Sequence, residues 1–182
     1  HIYVRTNRAG QSLCCLLVNG KQLPHEAELV AALRSAEPHL AGVVLGINEK
    51  RNNVILGDSY RTLWGQDYLM DTLCGLSFKL SVPSFYQVNP AQAEVLYGRA
   101  LDFAALTGVE TVLDLYCGIG TISLLLARSA GKVYGVETVP EAVEDAEENA
   151  ARNSIANAEF FCADAGEAAA RFSAQGIRPQ VV

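Results

Sequence analysis

The sequence predicts an α/β protein in which a doubly wound domain follows a small α+β domain. In the second half, short apolar segments alternate with helical segments, as in a parallel sheet with crossover helices. One apolar segment, at 111–115, is rich in β-branched residues and leads through a glycine turn into a helix. The first half begins instead with two strand-like segments joined by a hairpin turn. We therefore place the two domains at 1–83 and 84–182.

The first domain is predicted to contain one helix among strands. Leu29, Val30 and Leu33 recur at helical spacing, and Pro38 follows the end of that helix. The predicted strands are Ile2–Thr6, Ser12–Val18, 43–47 and two within 67–82 that are interrupted at Cys74 and Gly75, and the predicted helix is Glu26–Ala36.

The second domain is predicted to begin with a capped helix. Asn89 is a good N-cap, Pro90 suits the first turn, and Gly108 is a stop signal. Gln87 lies just before this helix, next to aromatic residues, and a capped helix does not explain it. The apolar face of the helix would consist of Ala93, Leu96, Tyr97, Ala100, Leu101 and Ala104. The strands that follow are predicted at 111–115, 132–136, 159–162 and from 180 onward, and the helices at 121–129, 141–153 and 166–174.

The turn after 111–115 has the features of a nucleotide-cofactor site. Gly118 and Gly120 let the main chain approach a ligand, and the next helix offers free N–H groups. Ser123 stands where the dinucleotide fingerprint has its third glycine. Asp114 would repel a pyrophosphate, whereas it can hold the amino group of an amino-acid moiety. The pattern therefore favours S-adenosylmethionine over NAD.

A second acidic residue supports a cofactor at this turn. Glu137 ends the apolar segment 132–137, the next predicted strand. In a doubly wound sheet, the carboxylate at the end of the second strand reaches the ribose hydroxyls of a bound nucleotide. A lone Glu would be an ordinary exposed residue at a strand end. With the glycine turn at this spacing, we interpret Glu137 as a ribose ligand.

The composition, 50% hydrophobic and 19% charged, is typical of a globular chain, and no apolar run reaches the ~18 residues of a membrane span. Without a signal-peptide pattern, we expect a cytoplasmic protein. Because the chain begins at His1, has Met70 as its only methionine and ends in an apolar run, we expect an excised fragment. The cysteines lack metal-ligand spacing, so we expect no metal and reduced, mostly buried thiols at Cys14, Cys15, Cys74, Cys117 and Cys162.

Charge indicates little about partners. A net charge of −6 and a pI near 5.0 do not suggest nucleic-acid binding by themselves. A polar turn at Arg51, Asn52 and Asn53 could contact RNA, although solvated turn residues explain it more simply. The helix at 141–153 is predicted to have a solvated acidic face, away from RNA, formed by Glu141, Glu144, Asp145, Glu147 and Glu148.

Three motifs together closely resemble the RNA uracil-5-methyltransferase family, whose members modify transfer RNA and 23S ribosomal RNA. They are Phe85-x-Gln87-x-Asn89-x-x-Gln92, the turn from Asp114 to Thr121, and Gly135-Val136-Glu137 with Ala146, Asn149, Ala150 and Asn153. Segments 53–57 and 63–65 are similar to the family's central domain, so the resemblance covers most of the chain. It implies a Rossmann-like, S-adenosylmethionine-dependent methyltransferase domain.

The resemblance also implies the cofactor ligands, which are Gln87, Tyr116, Gly118, Thr121, Glu137 and Asp164. Gln87 and the turn would hold the methionine end, and Glu137 would accept from the ribose. Asp164 would reach the adenine amino group. Its alternative role is the N-cap of the helix at 166–174.

Methylation of uracil at C5 needs a thiolate that adds to C6. In the family, this catalytic cysteine and the base lie beyond the fourth strand, after the position of Val182. We reject Cys117 as the nucleophile because it would face the cofactor pocket, and we expect Cys162 to pack in the sheet. The N-terminal RNA-binding barrel and the iron–sulfur cysteines of many members are not seen either. We therefore expect weak cofactor binding and no methyl transfer by this chain alone.

The implied function is methylation of a flipped or single-stranded uracil in ribosomal or transfer RNA. Three alternatives stay open. One is a methyltransferase with a small-molecule or protein substrate, which the glycine turn alone would permit. Another is an NAD-binding dehydrogenase domain, which Ser123 and Asp114 disfavour. The third is a catalytically empty RNA-binding module.

Overall fold

The computed structural model describes residues 1–50, 53–57 and 59–182. Of the turn predicted at Asn52 and Asn53, with Arg51 beside it, only Asn53 lies among the described residues. The chain divides into two compact units: His1–Asp71 with Leu80–Pro83, and Thr72–Lys79 with Ser84–Val182. Among the described residues, none of the helices has the length and apolar character needed to cross a membrane.

The first unit contains a mixed four-stranded sheet. Its strands, in spatial order, are β1 (Ile2–Thr6), β2 (Ser12–Val18), β3 (Leu40–Ile47) and β4 (Ser59–Gly65). The β2/β3 pair is parallel and is connected through helix α1 (Glu26–Ala36), whereas the other two pairs are antiparallel. β1, β2 and α1 have the predicted bounds. β3 begins three residues before the predicted 43, and β4 was not predicted, because this edge strand is largely exposed and mixes polar with aromatic residues.

The two central strands are buried on both faces, which explains their continuous apolar runs. One face of the sheet packs Leu13, Cys15, Leu17, Val44, Leu69 and Val82. The opposite face, which includes Val30 of α1, packs Cys14, Leu16, Val43, Leu45 and Leu40.

The second unit consists of the tip of a hairpin and a parallel α/β assembly. The hairpin strands are β5 (Tyr68–Leu73) and β6 (Leu76–Ser81), broken as predicted at Cys74 and Gly75, which both have positive φ. The remaining elements are α2 (Pro90–Ala104), β7 (Thr111–Asp114), α3 (Thr121–Ala127), β8 (Lys132–Glu137), α4 (Pro140–Arg152), β9 (Ala158–Cys162) and α5 (Ala165–Ala174).

The parallel sheet reverses its strand order at β7. The described order is β7-β8-β9, and Val181 forms a parallel bridge to Val112 on the other side of β7. The strand predicted from 180 onward is represented by this single bridge. The carboxyl end of β7 is therefore a topological switch point, where doubly wound sheets bind their ligands.

The structure corrects the predicted extent and face of α2. Asn89 caps the helix as predicted, since its Oδ1 accepts from the Gln92 N–H at 3.1 Å. The helix ends at Ala104 rather than at Gly108, because Ala105 adopts a left-handed conformation. Leu96, predicted on the apolar face, is 57% exposed.

The acidic face predicted on α4 is only partly solvated. Glu141, Glu144 and Glu147 are exposed, as predicted. Asp145 is buried instead: its carboxylate lies 3.6 Å from Lys79 Nζ and accepts from the Ser84 hydroxyl at 3.0 Å. A buried carboxylate needs such partners to offset its lost hydration.

Candidate functional site

The glycine turn between β7 and α3 forms the floor of the candidate site. Gly118 and Gly120 have positive φ values of 53° and 81°, a backbone conformation that favours glycine. A Cβ on Gly120 would lie 3.1 Å from Phe160 Cζ and 3.3 Å from Ala146 Cβ, whereas a Cβ on Gly118 would meet nothing within 4 Å. Gly120 thus permits close packing beneath the turn, and Gly118 leaves open space that a ligand can approach.

The carboxylate of Glu137 is held against this turn. Its Oε2 accepts from the Gly118 N–H at 3.2 Å, and its Oε1 accepts from the N–H groups of Thr138 and Val139 at 2.7 and 3.1 Å. The structure therefore brings together Gly118 and Glu137, as expected from the strand order. Oε1 also accepts from the Thr138 hydroxyl at 3.1 Å, so its acceptor positions are used, whereas Oε2 has a second position for a ligand hydroxyl.

Asp114, at the end of β7, is the second acid of the site. Its carboxylate accepts from the Ser123 hydroxyl at 2.5 Å and from the Tyr116 N–H at 3.3 Å. Burial raises the pKa of Asp114, these two hydrogen bonds oppose the rise, and the charge of Glu137 adds to it. A positive charge, such as a ligand ammonium group, would stabilise both carboxylates.

Ser123 has a role that sequence reasoning missed. The sequence pattern identifies it only as the residue in place of a third glycine. Its side chain is fully buried and orients Asp114. Ser123 lies in the first turn of α3, within reach of the end of the preceding strand. This spacing is the sequence feature that could have predicted its contact with Asp114.

In the described part of the chain, the other predicted ligands do not bond to Glu137 or Asp114 through their side chains. Tyr116 is 81% exposed, and Thr121 has its hydroxyl 3.3 Å from that of Tyr97 on α2. Gln87 is half-buried, and among the described residues its side chain makes no hydrogen bond. Its neighbours Phe85 and Val88 are strongly exposed, which leaves an apolar surface around the amide.

Asp164 acts as a helix cap in this structure. It precedes α5, and its Oδ1 accepts from the Gly166 N–H at 2.8 Å. This hydrogen bond is the one expected of an N-cap residue, the alternative role of Asp164. A contact with adenine stays a prediction.

The buried thiol of Cys117 is poorly suited to nucleophilic attack. Burial, together with the charges of Asp114 and Glu137, raises the pKa of Cys117 far above its usual value, so the protonated thiol dominates. Cys162, expected to pack in the sheet, is exposed. It is the last residue of β9, at an edge of the described sheet, and its Sγ contacts the carbonyl of Thr138 at 3.6 Å.

We expect an aromatic disulfide reagent to label Cys162 first in the native protein. Its thiol is exposed, whereas Cys14, Cys15 and Cys117 are buried and burial raises their pKa values. The release of the reagent's chromophore measures the rate. Replacing Cys162 by serine should remove the fast phase; if the fast phase persists, another thiol is the reactive one.

An apolar groove of about 540 Å³ lies beside the site, between β7, α2 and α3. Phe103, Ile122 and Leu126 line its walls, and Asp114 supplies its charged group. In the part of the chain that the structure describes, no cluster of three or more His, Cys, Asp or Glu residues could hold a metal ion.

The chain is similar to several known methyltransferases. Residues 107–177 match the model of a family described as a methyltransferase domain. An uncharacterized RNA methyltransferase of Halalkalibacterium halodurans is 48% identical over 183 residues, which is all of this chain and 40% of that protein. The chain thus spans about two fifths of the length of the curated relative it matches.

Solved structures show the same fold. A tRNA (uracil-54, C5)-methyltransferase of Pyrococcus abyssi, in complex with S-adenosyl-L-homocysteine, has a TM-score of 0.71 and 24% identity, covering 90% of this chain and 38% of its own. A tRNA m1G37 methyltransferase of M. jannaschii has a TM-score of 0.55 and 16% identity, covering 91% and 47%. The family match and these likenesses confirm the predicted Rossmann-like methyltransferase fold.

Proposed function

We propose that this methyltransferase fold is part of an enzyme that methylates C5 of uracil in RNA. The observation that carries the proposal is the pairing of the glycine turn with Glu137, through the Gly118 N–H. The RNA substrate is supported by the relative named an RNA methyltransferase. The choice of uracil C5 is supported by the three motifs and by the similarity to the Pyrococcus abyssi tRNA (uracil-54, C5)-methyltransferase.

The residues of the site fit the cofactor by their chemistry. Gly118 leaves open space above the turn, and Asp114 places a carboxylate beside it. We assign Asp114 and Gln87 to the amino-acid end and Glu137 to the ribose hydroxyls. Tyr116, Thr121 and Asp164 complete the proposed set. When bound, S-adenosylmethionine supplies an electrophilic methyl group; the chain's own residues bind and orient it.

The nucleophile is proposed to come from elsewhere in the full-length protein. Cys117 is buried and protonated, so it cannot add to a pyrimidine ring. We therefore propose that these 182 residues bind the cofactor without transferring the methyl group. The proposed partner is ribosomal or transfer RNA, and the proposed compartment is the cytoplasm.

Calorimetric titration with S-adenosylhomocysteine tests the cofactor site. We expect the affinity to fall about tenfold or more in Glu137→Ala and in Gln87→Ala, because each removes a polar ligand. Glu144→Ala, which removes an exposed acid of α4, is the matched control and should bind like the unchanged chain. Unchanged affinity in both site variants, or preferential binding of NADH, would contradict the proposal.

A second candidate is methylation of guanine N1, favoured only by the fold likeness to the M. jannaschii enzyme. The two reactions differ in the hydrogen that is lost. Methylation at C5 replaces the hydrogen on that carbon, whereas methylation at guanine N1 leaves uracil C5 unchanged. The full-length protein should therefore release tritium from RNA that contains 5-tritiated uridine; methyl incorporation without release would favour another base.

A further inference from the structure

A buried asparagine on α4 connects the glycine turn to the hairpin. Asn149 is fully buried. Its Nδ2 donates to the carbonyl of Ile119 at 3.2 Å, and its Oδ1 accepts from the Lys79 N–H at 2.7 Å. Ile119 lies between the two glycines of the turn, and Lys79 lies on β6. One side-chain amide therefore joins the turn to β6.

The contact with Asn149 restrains the peptide that links Ile119 to Gly120. The oxygen of this peptide is held by Asn149, and its N–H donates to the carbonyl of Cys117 at 2.9 Å. Next to it, the Gly118 N–H is held by Glu137. Hydrogen bonds thus hold both the oxygen and the N–H of this peptide, next to a Gly118 whose Cβ position faces open space.

The neighbouring asparagine of α4 provides a natural comparison. Asn153 accepts from the Ser77 N–H at 2.8 Å and donates to the Ser77 carbonyl at 2.7 Å. It also donates to the carbonyl of Asn149 at 2.8 Å. Its side chain thus binds the same strand as Asn149 without contacting the turn.

We propose that Asn149 is a positioning residue for cofactor binding, which holds the Ile119 peptide in the orientation that the site requires. The inference rests on the proposed cofactor site at this turn. The role needs a side chain that donates to a carbonyl and accepts from an N–H at the same time, as an amide does. A carboxylate in this place would set a negative oxygen against the carbonyl of Ile119.

The test compares Asn149→Asp with Asn153→Asp by calorimetric titration with S-adenosylhomocysteine, from about pH 8 to about pH 5.5. At the higher pH, we expect Asn149→Asp to bind about tenfold more weakly than the unchanged chain. Burial raises the pKa of the introduced carboxyl, and once protonated it can donate to Ile119 again. The affinity of Asn149→Asp should therefore recover as the pH falls.

Asn153→Asp serves as the control for damage to the α4–β6 contact. It should lower the melting temperature but bind within about twofold of the unchanged chain throughout. Neither variant changes the ion pairs between α4 and β6 or within α4, which join Lys79 to Asp145 and Glu148, and Arg152 to Glu148. Asn149→Ala, which adds no charge, should bind weakly at every pH and is available if Asn149→Asp does not fold.

The outcomes separate this inference from the proposed function. Normal binding by the unchanged chain and by the folded Asn149 variants would overturn the inference alone. Equal weakening in Asn153→Asp would overturn it too, because the effect would then come from the hairpin contact in general. If the folded, unchanged chain does not bind S-adenosylhomocysteine, the proposed site is wrong, and the inference is overturned with it.

Discussion

Gly118→Ala is expected to weaken the binding of S-adenosylhomocysteine at least about tenfold while the chain stays folded. An alanine in this left-handed conformation costs about 1–2 kcal/mol, which a domain with typical stability tolerates. Its Cβ would meet no protein atom within 4 Å, so the methyl group would occupy the space proposed for the ligand. Calorimetric titration measures the affinity, and thermal unfolding confirms the folded state.

Gly176→Ala is the matched control for backbone strain. Gly176 follows α5, has a φ of 75° and also has nothing within 4 Å of a built Cβ. We expect a similar loss of stability with unchanged affinity. If folded Gly118→Ala binds as well as the unchanged chain, the cofactor does not approach this glycine.

Gly135→Ala is expected to lower the free energy of unfolding by about 1–3 kcal/mol through overpacking. A Cβ at this position of β8 would lie 2.5 Å from Phe160 Cδ1 and 3.1 Å from Cys117 Cβ. The Phe160 ring cannot simply turn away, because it is buried and also packs beneath Gly120. Denaturant-induced unfolding measures the change.

Gly98→Ala should change stability in the opposite direction. Gly98 lies within α2, and a built Cβ has nothing within 4 Å. Alanine should therefore stabilise the protein by up to about 1 kcal/mol, the usual cost of glycine inside a helix.

A Gly135→Ala variant as stable as the unchanged chain would contradict the overpacking prediction. It would mean that β8 and Phe160 separate more easily than their packing indicates.

Local patterns predicted the framework of the second unit. The apolar segments became β7, β8 and β9, and the predicted helical segments became α3, α4 and α5, with ends shifted by one or two residues. A parallel strand that is covered on both faces needs a continuous apolar run, and this requirement is visible in the sequence. The meeting of the turn with Glu137 was also predictable, because adjacent parallel strands end at the same edge.

Three predictions were wrong for a common reason. Leu96 is exposed, Asp145 is buried and Cys162 is exposed. Helical or strand periodicity identifies which residues share a face, but it does not say what covers that face. β4 was missed on similar grounds, since an edge strand with one partner carries a weak apolar pattern.

The sequence by itself determined the fold class, the glycine turn and the acid at the end of β8, because each depends on residues close together in the chain. The tertiary structure alone decided how the turn is supported. Ser123 orients Asp114 across the turn, and Asn149 links Ile119 to Lys79, residues 30 and 70 positions away from it. Hydrogen bonds between such distant groups depend on how helices pack on the sheet, which no local pattern records.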